Sequence, residues 1–438
     1  MPRGRKCSRV AKQCGSCCQS CASVSTPFRG STAMRETTIA VVTALSPSST
    51  TLAEYGLHLL TALGRKPGVR VVALVEDLPL DYPTIEGVEV RRAWRFNALT
   101  TPVRLARAAR AAGADIVIIN AHFGSFGASR ASAALGLMTP VALRLSGIPV
   151  ITLMHNIVET VDLAAAGFRA SRPVEAVLRA IGTSLTWLVL RSTLVTTTMP
   201  RYVEILRAKY RADNVALTPH GAFDAPPAPV VRPDGAEVVM TFGKFGTYKK
   251  VETLIEAVRL LGRPGLTLVI AGTDSPNTPG YLADVEANYG GDDVHFTGYV
   301  PEDAVESTFR DATVTVFPYT ATTGSSGVLH QAGAFGCPPI LPRLGDLEDL
   351  IIDEGYTGAF FAPDDAADLA RAIEGLLDDP AERQRIATGN HAAAIGLSLD
   401  EVADWYLMHI GSIVHDSALA LLTPGESAAG VRTLHKVL

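Results

Sequence analysis

The sequence predicts an α/β protein built from two doubly wound parallel-sheet domains. Three observations carry this expectation: short apolar, β-branched runs without polar alternation; longer helix-period segments between them; and a proline-rich stretch midway, after which the pattern restarts. Strands of a parallel sheet are covered by helices on both faces, so they read as continuous apolar runs. A length of 438 residues, 47% hydrophobic and 19% charged, is ordinary globular material and suits two domains.

The first 33 residues stand apart, with six Lys or Arg, no Asp or Glu, and five of the six cysteines. Cys14, Cys17, Cys18 and Cys21 make two C-x2-C spacings that could hold zinc. No partner ligand set follows, no apolar h-region marks a signal peptide, and Met34 opens a strand. Residues 1–33 are therefore expected to be a disordered leader or an over-extended start. The remaining cysteine, Cys337, suits a reducing cytoplasm and reads as a buried small apolar residue.

The first domain is expected over residues 34–224. Its strands are TIAVVTAL (38 to 45), VRVVALV (69 to 75), ADIVIIN (114 to 120), IPVITLM (148 to 154), STLVTTT (192 to 198) and NVALTPH (214 to 220). The segment from Gly221 to Glu237 is proline-rich, placing a linker at 225–236. A second domain follows over 237–400, with strands EVVMTFG (237 to 243), LTLVIAG (266 to 272), DVHFTGY (293 to 299), ATVTVFP (312 to 318), PPILP (338 to 342) and TGAFFAP (357 to 363). The helical pattern from Ser398 to Leu422 is expected to cross back onto the first domain, within a terminal helix and tail, 401–438. Open α/β sheets bind ligands outside the carboxyl ends of their strands, so function is expected in post-strand loops facing a central cleft.

A net charge of −5 and a pI near 6.1 leave no basic stripe for nucleic acid. No apolar run is long enough to span a membrane. AIGTSLTWLVL, Ala180 to Leu190, lies between Arg179 and Arg191; it reads as a buried helix, with an interfacial membrane patch through Trp187 as the alternative. Neither G-x-G-x-x-G after a strand, G-x-x-x-x-G-K-[ST], H-E-x-x-H nor G-x-S-x-G occurs, so nicotinamide, P-loop, zinc-protease and serine-hydrolase chemistry lose ground. The acidic pairs Asp292-Asp293, Asp364-Asp365 and Asp378-Asp379 read as solvated turns, and no metal or other cofactor is expected.

Two stretches remain. In TFGKFGTYKKVETLIEAVRLL a strand ends at Gly243, and Lys244 and Lys249 flank a flexible turn before a helix with apolar residues at Val251, Leu254, Ile255, Val258 and Leu261. By themselves these lysines read equally as a solvated face. In ATVTVFPYTATTGSSGVLHQAGAFGC a strand is followed by Thr323, Gly324, Ser325, Ser326 and Gly327, with a helix beginning near Ser325 or Ser326. Residues this small let backbone N–H groups approach an anion, and the helix dipole favours it. A diphosphate fits both features.

From about Thr38 to Leu422 these motifs resemble, in order, a GT-B glycosyltransferase of family 4, the glycosyl transferases group 1. GKFGTYKKVETLIEA resembles the family's donor loop, with Lys250 where glycine is usual; VHFTGYV, ending at Val300, resembles the strand and turn that border the nucleotide base. GDLEDLIIDEGYTGAFFAPDD resembles the stretch after the last donor-side strand. INAHFGSFG and IPVITLMHNI resemble the strand ends that carry histidine into the cleft, and LTPHGAFD the link between domains. The family's paired glutamates, eight positions apart, are absent: Thr323 and Gln331 stand there. Gln331 keeps an amide for ribose hydroxyls, whereas Thr323 brings no negative charge near the donor sugar.

The resemblance implies a retaining, metal-independent glycosyltransferase that moves a sugar, most often a hexose, from a nucleotide-diphosphate sugar to an acceptor hydroxyl. It implies Lys244 and Lys249 as the diphosphate pair, supported by Gly243 and the amides at Ser325, Ser326 and Gly327. His155 is expected on the donor sugar and His122 on the acceptor side; from position alone each reads equally as structural. The loop from Ser46 to Gly56, with Ser48 and Ser49, is expected either to cap its helix or to close over the phosphates. His220, His330, Asp346 and Glu348 are left as structural or unresolved. The acceptor is open among glycan, lipid and small molecule. The chain is expected in the cytoplasm, with peripheral membrane contact open. The alternative function is a catalytically weak relative that binds a nucleotide sugar or serves as a partner subunit.

Overall fold

The computed structural model describes residues 36–48, 52–122, 124–160, 172–223, 237–246, 248–275, 278–321 and 326–415; from Thr37 onward they lie in one compact unit. The expected leader at 1–33, the linker at 225–236 and the tail beyond residue 415 lie outside the described residues.

The chain opens as β1 (Thr37–Val42), α1 (Ala53–Gly64), β2 (Val69–Glu76), β3 (Val88–Trp94), α2 (Thr101–Ala112), β4 (Ile116–Ala121), α3 (Arg130–Gly136) and α4 (Thr139–Leu145). It continues as β5 (Val150–Met154), α5 (Arg172–Val189), β6 (Leu194–Thr197), α6 (Pro200–Tyr210) and β7 (Val215–Leu217). The seven strands form one parallel sheet in the order β3-β2-β1-β4-β5-β6-β7. The second sheet is made by β8 (Val238–Phe245), β9 (Thr267–Asp274), β10 (Val294–Gly298), β11 (Val314–Val316), β12 (Pro339–Pro342) and β13 (Ala359–Phe361), parallel in the order β10-β9-β8-β11-β12-β13. Its helices are α7 (Glu252–Leu261), α8 (Tyr281–Tyr289), α9 (Glu302–Asp311), α10 (Gly327–Ala334), α11 (Gly345–Asp353), α12 (Ala366–Asp378) and α13 (Pro380–Gly396), and α14 (Leu399–Val414) ends the described chain.

Strand pleating explains why the apolar runs do not alternate. In β1, Ile39 and Val41 pack on one face with Leu59 and Leu63 of α1, while Ala40 and Val42 pack on the other with Leu105 and Ala109 of α2. Each fully buried Ile, Leu or Val in such a core contributes roughly 1.5–3 kcal/mol relative to exposure. The helix α14 adds Leu399, Val402, Tyr406 and Ile410 to the first of these faces, so the end of the described chain packs in the first sheet's core. Backbone bonds hold the return in place: Ala222 N–H donates to Leu397 O at 2.8 Å, and Leu399 N–H to Ala222 O at 2.9 Å.

Two readings need correction. The strand β3, VEVRRAW, was not anticipated; it is a sheet edge whose Glu89 and Arg92 are exposed, so charge interrupts the apolar run used to recognise strands. The stretch read as a buried helix is the end of α5, and it is amphipathic. Thr186 and Val189 are buried, but Val174, Val177, Ile181 and Trp187 are 45–57% exposed. Arg191 lies 3.8 Å above the Trp187 ring, which keeps an indole at the surface beside a cation.

In each sheet the strand order reverses once, between β1 and β4 and between β8 and β11. Crevices at such reversals, at the carboxyl ends of the strands, are where this class of sheet binds ligands.

Candidate active site

At the first reversal point the ends of β1, β4 and β5 bring Thr43, Asn120 and His155 together. Thr43 Oγ1 donates to the Ala44 carbonyl at 2.9 Å, and so accepts from Asn120 Nδ2 at 3.0 Å. The amide oxygen of Asn120 therefore faces His155, whose Nε2–H donates to it at 2.7 Å. This chain fixes the tautomer and leaves Nδ1 as a lone-pair acceptor. Burial, then the neighbouring His220 and His122, hold His155 well below the ordinary histidine value, so it is neutral. Tyr55 packs edge-on against its ring at 4.7 Å.

His122 is also neutral, lowered to about 4 by burial. Its Nδ1 accepts from the Gly124 N–H at 2.8 Å, which puts the ring proton on Nε2. The Ser48 hydroxyl donates to Glu76 at 3.1 Å, tying that loop to the end of β2. Ser49 lies outside the described residues. The helix α1 begins after Leu52, which has no side-chain cap, so capping by the described part of this loop is not observed. Gly56 brings α1 close: a Cβ there would lie 2.3 Å from Thr43 Oγ1 and 2.4 Å from the Ala44 oxygen. That approach carries Glu54 and Tyr55 into the cleft.

At the second reversal point Lys244 is not in a loop. It lies within β8, because β9 runs on to Asp274 and pairs Lys244 with Thr273 and Phe245 with Asp274. Nor is the following turn loose. Gly246 N–H donates to Lys249 O at 2.8 Å, Lys249 N–H to Gly246 O at 2.9 Å, and Thr320 N–H beyond β11 to Tyr248 O at 2.8 Å. The Lys249 side chain is half-buried, its Nζ 4.6 Å from the centre of the Tyr319 ring. Burial pulls its ammonium down, but Tyr319 and Tyr248 more than offset this and hold it above the ordinary lysine value. Lys244 is exposed and is shifted down, first by desolvation, with Glu54 opposing and the Lys249 charge adding to the fall.

Gly243, with φ of 138°, sits beside this cation; a Cβ there would lie 3.4 Å from Lys249 Nζ. Ser326 precedes α10 in an extended conformation, its hydroxyl 3.5 Å from that of Tyr319, and caps nothing. Gly327 opens the helix; a Cβ on it would meet His220 Cε1 at 3.4 Å. Thr323, Gly324 and Ser325 lie outside the described residues. Val300 follows β10 and is half-buried against the cluster that contains Phe309 and Tyr319.

Gln331 is buried in α10, and its Nε2 donates across the cleft to Glu54 Oε1 at 2.8 Å. Beneath α10, His330 stacks on His220 with ring centres 4.9 Å apart and planes 6° apart. Its Nδ1 is 3.0 Å from Tyr356 Oη and its Nε2 3.4 Å from Glu354 Oε2. Burial pushes the Glu354 carboxyl up to about 8 and His330 well down, so both are neutral together. His220 is likewise lowered, to about 4, by burial. These histidines are structural in their contacts, and Glu348 pairs with Arg343 at 3.2 Å. Among the described residues one group could hold a cation: Glu54, His58 and Glu302, with ligand atoms within 4.8 Å of one another.

Sequence reasoning missed Asn120, Tyr319 and Glu54. Asn120 had a signal, a polar residue near the end of an otherwise apolar strand. Glu54 had none, because its partner is 277 residues away.

Two doubly wound sheets, each with its ligand crevice turned to the other and joined by a returning terminal helix, make up the GT-B arrangement of glycosyltransferases. The family model of the glycosyl transferases group 1 matches residues 236–379. A D-inositol 3-phosphate glycosyltransferase of Stackebrandtia nassauensis is 28% identical over 308 residues, 65% of this chain and 67% of its own. The chain covers 63% of an Arthrobacter protein of the same name, so it spans about two thirds of the length of these curated relatives. Among solved structures, sucrose-phosphate synthase of Thermosynechococcus elongatus superposes with a TM-score of 0.66 at 20% identity, over 88% of this chain and all of the other. Anabaena HepE in complex with UDP-glucose superposes at 0.62 with 14% identity, again over 88% of this chain and all of the other.

Proposed function

We propose that this chain is a retaining glycosyltransferase that moves a sugar from a nucleotide-diphosphate sugar to an acceptor hydroxyl without a metal. The observation that carries the reading is the meeting, at one strand-order reversal, of Lys244, Lys249 and a helix start with no side-chain cap. As the glycosidic bond breaks, charge grows on the leaving β-phosphate; two cations and the amides at Ser326 and Gly327 would meet it, and a helix start adds favourable potential. Thr323, Gly324 and Ser325 would complete that loop. The acceptor oxygen bonds to the anomeric carbon on the face the phosphate leaves, and the departing phosphate oxygen takes the acceptor proton. No enzymic nucleophile is required.

Neutral His155, with Nδ1 as an acceptor, suits a hydroxyl of the donor sugar, and His122, with its proton on Nε2, suits the acceptor side. Ser48, in the loop after β1, would serve that side, as would Ser49, which lies outside the described residues. Val300 would border the base, and Gln331 would meet the ribose. The UDP-glucose complex of the HepE structure supports a nucleotide-sugar donor. The acceptor class, glycan, lipid or small molecule, is open. Among the described residues no helix is long and apolar enough to cross a membrane. The exposed Val174, Val177, Ile181 and Trp187 on α5 favour peripheral contact by a cytoplasmic protein.

A panel of UDP-, GDP- and ADP-sugars tests this. Slow donor hydrolysis without acceptor, undiminished by EDTA, and a transferred sugar with the donor's anomeric configuration on NMR would support it. The absence of a carboxylate at Thr323 favours a second reading, a nucleotide-sugar-binding relative of low activity. Binding with no turnover on any donor would select it.

A further inference from the structure

We propose that Glu54, on the first domain, is a positioning residue for the nucleotide ribose, supplying through Gln331 the carboxylate that the donor helix itself lacks. The inference rests on the donor-site reading above. It begins from the single hydrogen bond Gln331 Nε2–H to Glu54 Oε1, 2.8 Å long and spanning 277 residues of sequence.

A carboxylate only accepts, so it must face the amide NH2 and not the amide oxygen. The flip of Gln331 is thus fixed by chemistry. Its Oε1 is directed away from Glu54 and takes no hydrogen bond among the described residues, although Gln331 is only 7% exposed. A buried amide held by one arm, with an open acceptor on the other, is suited to one hydroxyl donor. The position lies on α10, four residues after Gly327 at the helix start, so a nucleotide whose diphosphate met that start would present its ribose nearby. Charge follows the same path: Glu54 also acts on Lys244, so the first domain brings its carboxylate to both groups expected at the nucleotide. The contact therefore links the two domains through the donor pocket.

Polarity makes the proposal sharp. Restoring a glutamate at position 331 would set two carboxylates against each other at hydrogen-bond distance, so the residue usual in this family should be harmful here. Exchanging both residues, E54Q/Q331E, reverses the bond and should repair it, the new amide at position 54 donating to the new carboxylate at position 331.

The test compares wild type, Gln331→Glu, Glu54→Gln, Glu54→Ala and the exchanged pair E54Q/Q331E. Binding of UDP, GDP and ADP is measured by calorimetry beside their 2′,3′-dideoxy counterparts, with thermal unfolding alongside. Wild type should prefer its best ribonucleotide over the dideoxy form by about tenfold or more, the scale of a hydrogen bond to a buried polar group. Gln331→Glu and Glu54→Ala should bring that ratio towards one, Glu54→Gln should lower it less, and E54Q/Q331E should recover most of it. A structural contact alone would move unfolding temperatures and leave the ratio unchanged. If Gln331→Glu keeps the wild-type ratio, or the exchanged pair is no better than Gln331→Glu, the role of Glu54 is wrong while the donor site stands. If wild type binds none of the three nucleotides, the donor-site reading falls, and this inference with it.

Discussion

Gly243 leaves space for Lys249: a Cβ on that glycine would lie 3.4 Å from the lysine ammonium, and the glycine backbone holds φ at 138°. The same backbone lies against β9, where a Cβ on Gly272 would meet the Gly243 oxygen at 1.8 Å. The glycines thus let two strand ends and a cation share one small volume.

Replacing Gly243 with alanine should therefore act twice. The positive-φ backbone costs about 1–2 kcal/mol for a residue with a side chain, and the new methyl takes up the space beside Lys249 Nζ, at ordinary contact distance. A fall in unfolding free energy of that size is expected, accompanied by a larger loss of nucleoside-diphosphate affinity. Normal affinity in a folded variant would show that Gly243 does not shape the cation's position.

At the start of α10 the space is similar, but the backbone of Gly327 holds no positive φ. A Cβ on Gly327 meets His220 only at 3.4 Å, so Gly327→Ala should fold with stability within about 1 kcal/mol of wild type. The branched side chain of Gly327→Val must displace His220 or the helix start, and should weaken diphosphate binding by about tenfold or more at unchanged net charge. Equal binding by both variants would remove the helix start from the site.

Acid should destabilise the protein through its buried histidines. His122 and His220 are lowered from 6.5 to about 4, and His155 and His330 are shifted the same way, all by burial. Between those values the unfolded chain binds more protons, so the stability they contribute is present above pH 6.5 and is lost as pH falls towards 4. Unfolding by denaturant at a series of pH values should show this slope, and a flat profile from 6.5 to 4 would contradict it.

Glu354 works in the opposite sense. Its carboxyl is raised from 4.5 to about 8, chiefly by burial, so its contribution is present below 4.5 and is lost as pH rises through 8. Glu354→Gln keeps the shape of the side chain and removes the titration. The variant should be more stable than wild type above pH 8 and similar to it below 4.5. A variant whose difference from wild type does not change with pH would show that the carboxyl is not held neutral.

Most strands were legible because burial on both faces writes an unbroken apolar run, as in IVIINA and VITLM. The exception, β3, lies at an edge where Glu89 and Arg92 meet water, so its run is broken by charge. Lys244 and Lys249 stand out in the sequence as candidates, but strand pairing with Thr273 extends β8 past Gly243, and backbone bonds close a turn that reads as flexible. Glu54 could not be read at all. A carboxylate in the first turn of a helix ordinarily complements the dipole, and only folding reveals its partner on the other domain. The α5 pattern looked buried because Trp, Leu and Ile cluster there; the exposed positions 174, 177 and 181 recur at helical spacing on one face.

Stabilisation of a diphosphate leaving group by lysine charge in this cleft would show in the turnover of Lys249→Ala and Lys244→Ala on the best donor found. Lys244 is exposed, so its loss should change stability by no more than about 0.5 kcal/mol; Lys249, seated against Tyr319, should cost somewhat more. Turnover should fall in each by about a hundredfold or more, on the order of 3 kcal/mol in the barrier, as for other charge-stabilising donors in closed sites. Folded variants that both retain near-wild-type turnover would contradict the diphosphate assignment.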